Sequence, residues 1–295
     1  MSAPIGHYLA YLRPLTFLPT FLLALTGYAM SPARPAGLGA ISVDLGLLFL
    51  VQSVLLWGGA NAFNSSQDRD SGPVNLLPSP PPMPKHLATF GLLANCAAIA
   101  LAAARGALAA LIVTAGVVAS TFYSWRSGYF RRGKEIGVID NLINAAGSGA
   151  GSILLGYAIT GARLDLHVVL VAAAFTVATF GGVPASQIFQ LRQGDRYEDA
   201  RNYASLLGAE NTLRVGALLF AAHVVLVLAL GLPAGGVVGH ALWLGWALLA
   251  LAGSVHSLRW SRAPFLRPYR QMTRQFSLMM ASQALWTGYA WQLTS

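Results

Sequence analysis

Nine apolar runs of about 20 residues set the terms for this chain. They fall at approximately 12–30, 41–62, 87–104, 107–125, 139–161, 166–190, 212–231, 237–257 and 275–293. A run of that length, wound as a helix, covers a hydrocarbon core of roughly 30 Å. A helix also satisfies its own backbone groups where no water is present to do so. The ten-residue alternation of a membrane barrel strand is missing from all of them. Charged residues make up only 10% of the chain, against about 25% in soluble domains. The expected fold class is therefore an all-α polytopic membrane protein with nine transmembrane helices. The first run reads as a span, not a cleavable leader.

Charge supplies the orientation. With nine spans and the N-terminus inside, the inner segments hold sixteen basic residues. The outer segments hold three, Arg34, Arg105 and Arg163. The positive-inside rule then places the N-terminus on the cytoplasmic side of the cell (inner) membrane. The net charge of +9 lies in these membrane-flanking loops, where it meets the bilayer surface and not nucleic acid. The single Cys96 lies inside an apolar run and reads as a structural thiol. Gly147 and Gly151 read as close helix packing. The tryptophans of the last two runs (Trp243, Trp246, Trp286 and Trp291) read as lipid-facing or interfacial.

Two acidic clusters close apolar runs on that inner side. The first is Asn61-Ala-Phe-Asn64-Ser-Ser-Gln-Asp68-Arg-Asp70. The second runs from Gln187 and Gln190 to Asp195, Glu198 and Asp199. Together they hold five of the ten carboxylates. On a helix Asn61, Asn64 and Asp68 share one face. Asp70 joins them only if the helix stops near Asp68, and Gly72-Pro73 just beyond favours that stop. Asp195 and Asp199 are spaced to point at one centre, with Glu198 to spare. Hard oxygen ligands of this kind suit Mg2+, which keeps several waters and takes phosphate oxygens from its substrate. Two such clusters can hold a metal pair bridged by a diphosphate. The loop between them in sequence carries Arg126, Arg131, Arg132 and Lys134, cations suited to phosphate oxygens. Asp140 and Asn144 form another i, i+4 pair, with Asp140 expected to position a basic neighbour. The proline-rich stretch 68–86 reads as a cap over the membrane and not a tenth span. The repeated order of amides before carboxylates points to two four-helix pseudo-repeats plus a ninth helix, within a single domain over 1–295.

These motifs resemble the UbiA superfamily of intramembrane prenyltransferases, over essentially the whole chain. Asn64-Ser-Ser-Gln-Asp68-Arg-Asp70 resembles that family's first aspartate-rich motif and Asp195-Arg-Tyr-Glu-Asp199 its second. Arg13-Pro14-Leu15-Thr16 resembles its first-span entrance. Tyr123-Ser124, then Arg131, Arg132, Lys134 and Asp140, resembles its third cytoplasmic segment. One position departs: Gly72 stands where the family often has a further Asp. The resemblance implies nine helices around a central cavity and a Mg2+-dependent transfer of an isoprenyl group from its diphosphate to a lipophilic acceptor, aromatic or quinone-like. It implies that Asp68, Asp70, Asp195 and Asp199 hold the metal. It gives Arg131, Arg132, Lys134 and Arg201 the diphosphate oxygens, with hydrogen bonds from Tyr123 and Asn64. Asp140, Asn144, Gln187 and Gln190 complete the expected substrate-binding set.

Two other readings share part of the pattern. A terpene cyclase of the same fold makes the same allylic cation and quenches it within its own chain. A transporter uses carboxylates as a cation path, but its sites tend to lie near the midplane, and no acid falls mid-span here.

Overall fold

The computed structural model describes residues 3–69, 74, 77, 79–126, 132–191, 203–230 and 236–293, with the side chains of Phe189 and Gln190 excepted. The described residues are helical and carry no strand, only an isolated bridge between Val74 and Leu77. Among the described residues, six helices are long and apolar enough to cross a membrane: Ile5–Met30, Leu38–Asp68, Ala107–Ser124, Leu166–Ile188, Ala209–Ala229 and Val237–Ser261. The chain is an integral membrane protein. The three other expected spans are also helical but differ in kind. Leu87–Ala103 has 17 residues. The 137–158 stretch is interrupted by a wide π turn at Gly147–Gly151. Pro268–Leu293 has 26 residues, but its first half carries Arg270, Gln271, Arg274 and Gln275.

Glycine and proline punctuate these helices. Gly106 and Gly208 stand at N-caps with φ of 131° and 74°, a conformation costly for any residue with a Cβ. Asp165 caps the Leu166–Gly182 helix by accepting from the Val168 N–H at 2.9 Å.

The contacts divide the chain into two compact units. The first takes residues 1–133 and 154–163. Within it Gly59 and Gly91 face one another. A Cβ on Gly59 would sit 2.8 Å from the Gly91 carbonyl oxygen, so the Leu38–Asp68 and Leu87–Ala103 helices meet backbone to backbone. Such contact is how helices associate where lipid removes the hydrophobic drive. At the end of the Leu38–Asp68 helix away from Asp68, buried Asp44 pairs with Arg105. The Arg105 Nε donates to the Ile159 carbonyl at 3.1 Å, and the Tyr28 hydroxyl donates to Asp44 at 3.4 Å.

The second unit takes residues 134–153 and 164–295. Here Gly181 and Gly216 make the equivalent close approach between the Leu166–Gly182 and Ala209–Ala229 helices. The glycine that seats the π turn is Gly149, where a Cβ would lie 2.7 Å from Thr176. Gly151 meets nothing closer than 3.3 Å, so the expectation for it is corrected. Trp246 and Trp286 are buried, with ring centroids 4.9 Å apart, beside His223, Phe175 and Tyr289. They pack against protein and not lipid, against expectation. Hydropathy reports what a residue is and not which neighbour it faces, and lipid and protein interior are equally apolar. Cys96 is exposed on the Leu87–Ala103 helix.

Candidate active site

Asp68 is the last residue of the Leu38–Asp68 helix. Arg69 follows in the left-handed conformation (φ 55°), and its N–H caps the Ser65 carbonyl. The helix therefore stops where the Gly72-Pro73 signal called for a stop. Asp68 Oδ1 accepts from Arg132 Nη1 at 2.6 Å, and their side chains are only 14% and 10% exposed. An ion pair this dry is far less screened than one at a free surface.

One turn earlier, on the same face, lies Asn64. Its Oδ1 is buried and has no hydrogen-bond partner among the described residues. A buried amide oxygen left idle costs about 1–3 kcal/mol, so a native fold keeps one chiefly where something else takes it up. Below it, Asn61 Nδ2 donates to the Leu12 carbonyl at 3.4 Å and to Thr16 Oγ1 at 3.3 Å.

Sequence reasoning gave Arg13 no role beyond resemblance, yet it sits beside this helix face. It is 4% exposed, breaks the first span with a left-handed backbone (φ 55°), and donates to Ser65 Oγ at 2.8 Å. The Arg-Pro pair explains the break. Proline lacks an N–H and starts a new turn at Pro14–Thr16. Gln67 Oε1 accepts from the Arg126 N–H at 3.3 Å, which ties the end of the Ala107–Ser124 helix to the turn bearing Asp68. Tyr123 is half-buried on the last turn of that same helix.

In the second unit, Lys134 is half-buried in a short 3-10 turn, Gly133–Glu135. Asp140 is 1% exposed and accepts from Gln187 Nε2. Asn144 Nδ2 donates to the Asp140 backbone and side-chain oxygens at 3.0 and 3.4 Å. The Gln187 Oε1 accepts from the Ala204 N–H at 3.2 Å. Asp140, Asn144 and Gln187 thus come together through amide hydrogen bonds. Gln187 bridges Asp140 to the Tyr203–Leu207 helix across the sequence that carries the second acidic cluster. Burial pushes the Tyr203 phenol above its ordinary pKa. Asp70, Arg131, Asp195, Asp199, Arg201 and the side chain of Gln190 lie outside the described residues.

Among the described residues no group of three or more His, Cys, Asp or Glu side chains gathers to hold a metal. The donors present do fit Mg2+ in kind. Asp68 and the idle Asn64 oxygen form a hard-oxygen pair on one helix face, and Mg2+ takes one or two protein ligands and fills the rest with water and phosphate.

The fold has solved counterparts. A UbiA homologue from Archaeoglobus fulgidus, solved bound to DMAPP and Mg2+, matches with a TM-score of 0.69 at 18% identity, covering 97% of this chain and 98% of that one. A digeranylgeranylglyceryl phosphate synthase structure matches at 0.65 and 16% identity, over 97% and 98%. A homologue from Aeropyrum pernix K1 matches at 0.62 and 18% identity, over 93% and 96%. No curated protein matches. Residues 14–282 match the UbiA prenyltransferase family. With nine-tenths of its length inside that match, the chain belongs to the UbiA prenyltransferase family.

Proposed function

We propose that this prenyltransferase, acting as a single domain over 1–295, uses Mg2+ to transfer an isoprenyl group from an isoprenyl diphosphate to a lipophilic acceptor, aromatic or quinone-like. The observation that carries the proposal is the end of the Leu38–Asp68 helix. A nearly dry carboxylate is paired with a guanidinium there, and a buried amide oxygen one turn away has no partner among the described residues. That is a place built for mixed charge, as a metal diphosphate is. Asp68, with Asp70, Asp195 and Asp199, would hold the metal. Arg132, with Arg131, Lys134 and Arg201, would take the phosphate oxygens.

Bound Mg2+ supplies charge neutralisation that makes diphosphate a good leaving group. The chain's own part is different. Arg132 orients the diphosphate, Asn64 and Tyr123 offer hydrogen bonds to it, and the helices keep water from the allylic cation until the acceptor attacks. Asp140, Asn144 and Gln187 support the reading, because they tie the Tyr203–Leu207 helix, which follows the second acidic segment in sequence, to the Gly137–Ala146 helix. Homologues solved with DMAPP or GPP and Mg2+ support the donor class. The proposed setting is the cell membrane, with the N-terminus and Asp68 at the cytoplasmic face.

The test is incubation of the purified protein with isoprenyl diphosphates of increasing length, Mg2+ and a panel of quinones and phenols, read by mass spectrometry of the lipid extract. A prenylated acceptor is expected, and a chelator should stop its formation. Turnover that survives chelation would refute the metal. A cyclic hydrocarbon formed without any acceptor would replace transfer with cyclisation.

A further inference from the structure

The Asp68–Arg132 contact has a chemical direction. Asp68 Oδ1 accepts a charge-assisted hydrogen bond from Arg132 Nη1 at 2.6 Å. That contact is short for its type and is shielded from water. A divalent ion at Asp68 competes for the negative charge, and for the Oδ1 lone pairs, that the guanidinium engages. The donor diphosphate needs the guanidinium that the carboxylate engages. Arg132 lies on the connecting segment after the Ala107–Ser124 helix, outside any helix, so it can change partner without unwinding one. Asn64 Oδ1, on the same face, is an oxygen with no donor among the described residues.

We infer that Arg132 is an exchange partner. It holds Asp68 while the site is without metal and passes to the diphosphate when metal takes the carboxylate. The inference rests on the reading of Asp68 as a metal ligand. It has a consequence that a plain phosphate-binding role lacks. Arg132 opposes binding of metal alone and favours binding of diphosphate alone. The two ligands therefore help one another, each by relieving the contact the other must break, and such coupling is reciprocal.

The test uses the full chain in detergent, with Mn2+ alone as a hard-cation probe and its binding read from loss of the free-ion EPR signal. Inorganic pyrophosphate, with chelator present, is the anion probe, read by calorimetry. Arg132→Gln is expected to bind Mn2+ more tightly than the parent, by roughly fivefold or more, and pyrophosphate more weakly by a similar factor. Arg132→Lys retains a cation for Asp68 and should bind Mn2+ close to the parent value. It serves also if the Gln variant does not fold.

Arg69→Gln removes an exposed positive charge next to Asp68 in sequence without touching the pair. It should leave Mn2+ affinity within about twofold, as expected for a screened surface charge. Equal tightening in Arg69→Gln and Arg132→Gln would reduce the effect to net charge and overturn the exchange. Unchanged or weaker Mn2+ binding in Arg132→Gln, with Asp68→Asn losing it, would overturn the exchange while leaving Asp68 a ligand. Unchanged Mn2+ binding in Asp68→Asn would remove Asp68 from the metal site and the exchange with it.

Discussion

Asp68→Asn is expected to lower the rate of diphosphate release by two to three orders of magnitude, the scale on which a single preorganised electrostatic contact acts in a dry site. The substitution keeps the volume and the helix stop at Arg69 while removing the charge. It therefore separates chemistry from folding better than Asp68→Ala, which also opens space beside Arg132. The loss should appear in kcat as well as in donor affinity, because charge on the leaving group grows in the transition state. The measurement is a coupled phosphate assay on detergent-purified protein, with thermal melting and size exclusion confirming the fold. Activity within about tenfold of the parent would take Asp68 out of the metal site.

Gly156→Ala is expected to damage the fold, not the chemistry. A Cβ at Gly156 would fall inside the van der Waals radius of the Ala24 carbonyl oxygen. It would also lie 2.7 Å from the Ala24 carbonyl carbon and 3.0 Å from the Tyr28 nitrogen. All three are backbone atoms, so no rotamer change relieves the clash and a helix must move. Overpacking of this kind costs about 1–3 kcal/mol, and more where the neighbours are rigid. The Ser31–Thr160 hydrogen bond of 2.7 Å, in the same first unit, fixes the end of this approach and resists a shift. The thermal aggregation midpoint should fall by several degrees. Gly116→Ala is the control. Its new methyl group meets only Leu56 side-chain carbons at 3.5 and 3.6 Å, an ordinary contact in a helix that prefers alanine. A Gly156→Ala protein as stable as the control would show that these helices do not pack as closely as described.

The local parts of this account were legible in the sequence. The long apolar runs fall on helices, six of them long and apolar enough to cross a membrane among the described residues. Asn64 and Asp68 share a face because a four-residue spacing leaves no alternative, and Gly72-Pro73 announced the stop that Arg69 makes. Contacts between distant residues were legible in kind but not in partner. That a cation would lie near Asp68 followed from charge. That it is Arg132, 64 residues on, did not. Gln187 was visible as an amide beside acids, but its bond to Asp140, 47 residues away, was not. The π turns at Phe49–Trp57 and Gly147–Gly151 could not be placed from hydropathy, since an average over about 20 residues does not register a local change of helical pitch. The same blindness hid the burial of Trp246 and Trp286.

A structure of the full chain with Mn2+ and a slowly hydrolysed thiodiphosphate analogue of the donor, with the metal located by anomalous scattering, tests the central claim most directly. The account predicts manganese at ligand distance, about 2.1–2.2 Å, from carboxylate oxygens of both Asp68 and Asp199, with the analogue's phosphate oxygens completing the sphere and Arg132 turned onto them. Manganese bound by Asp68 without any ligand from the 195–199 segment, or an analogue seated away from Asp68, would contradict it.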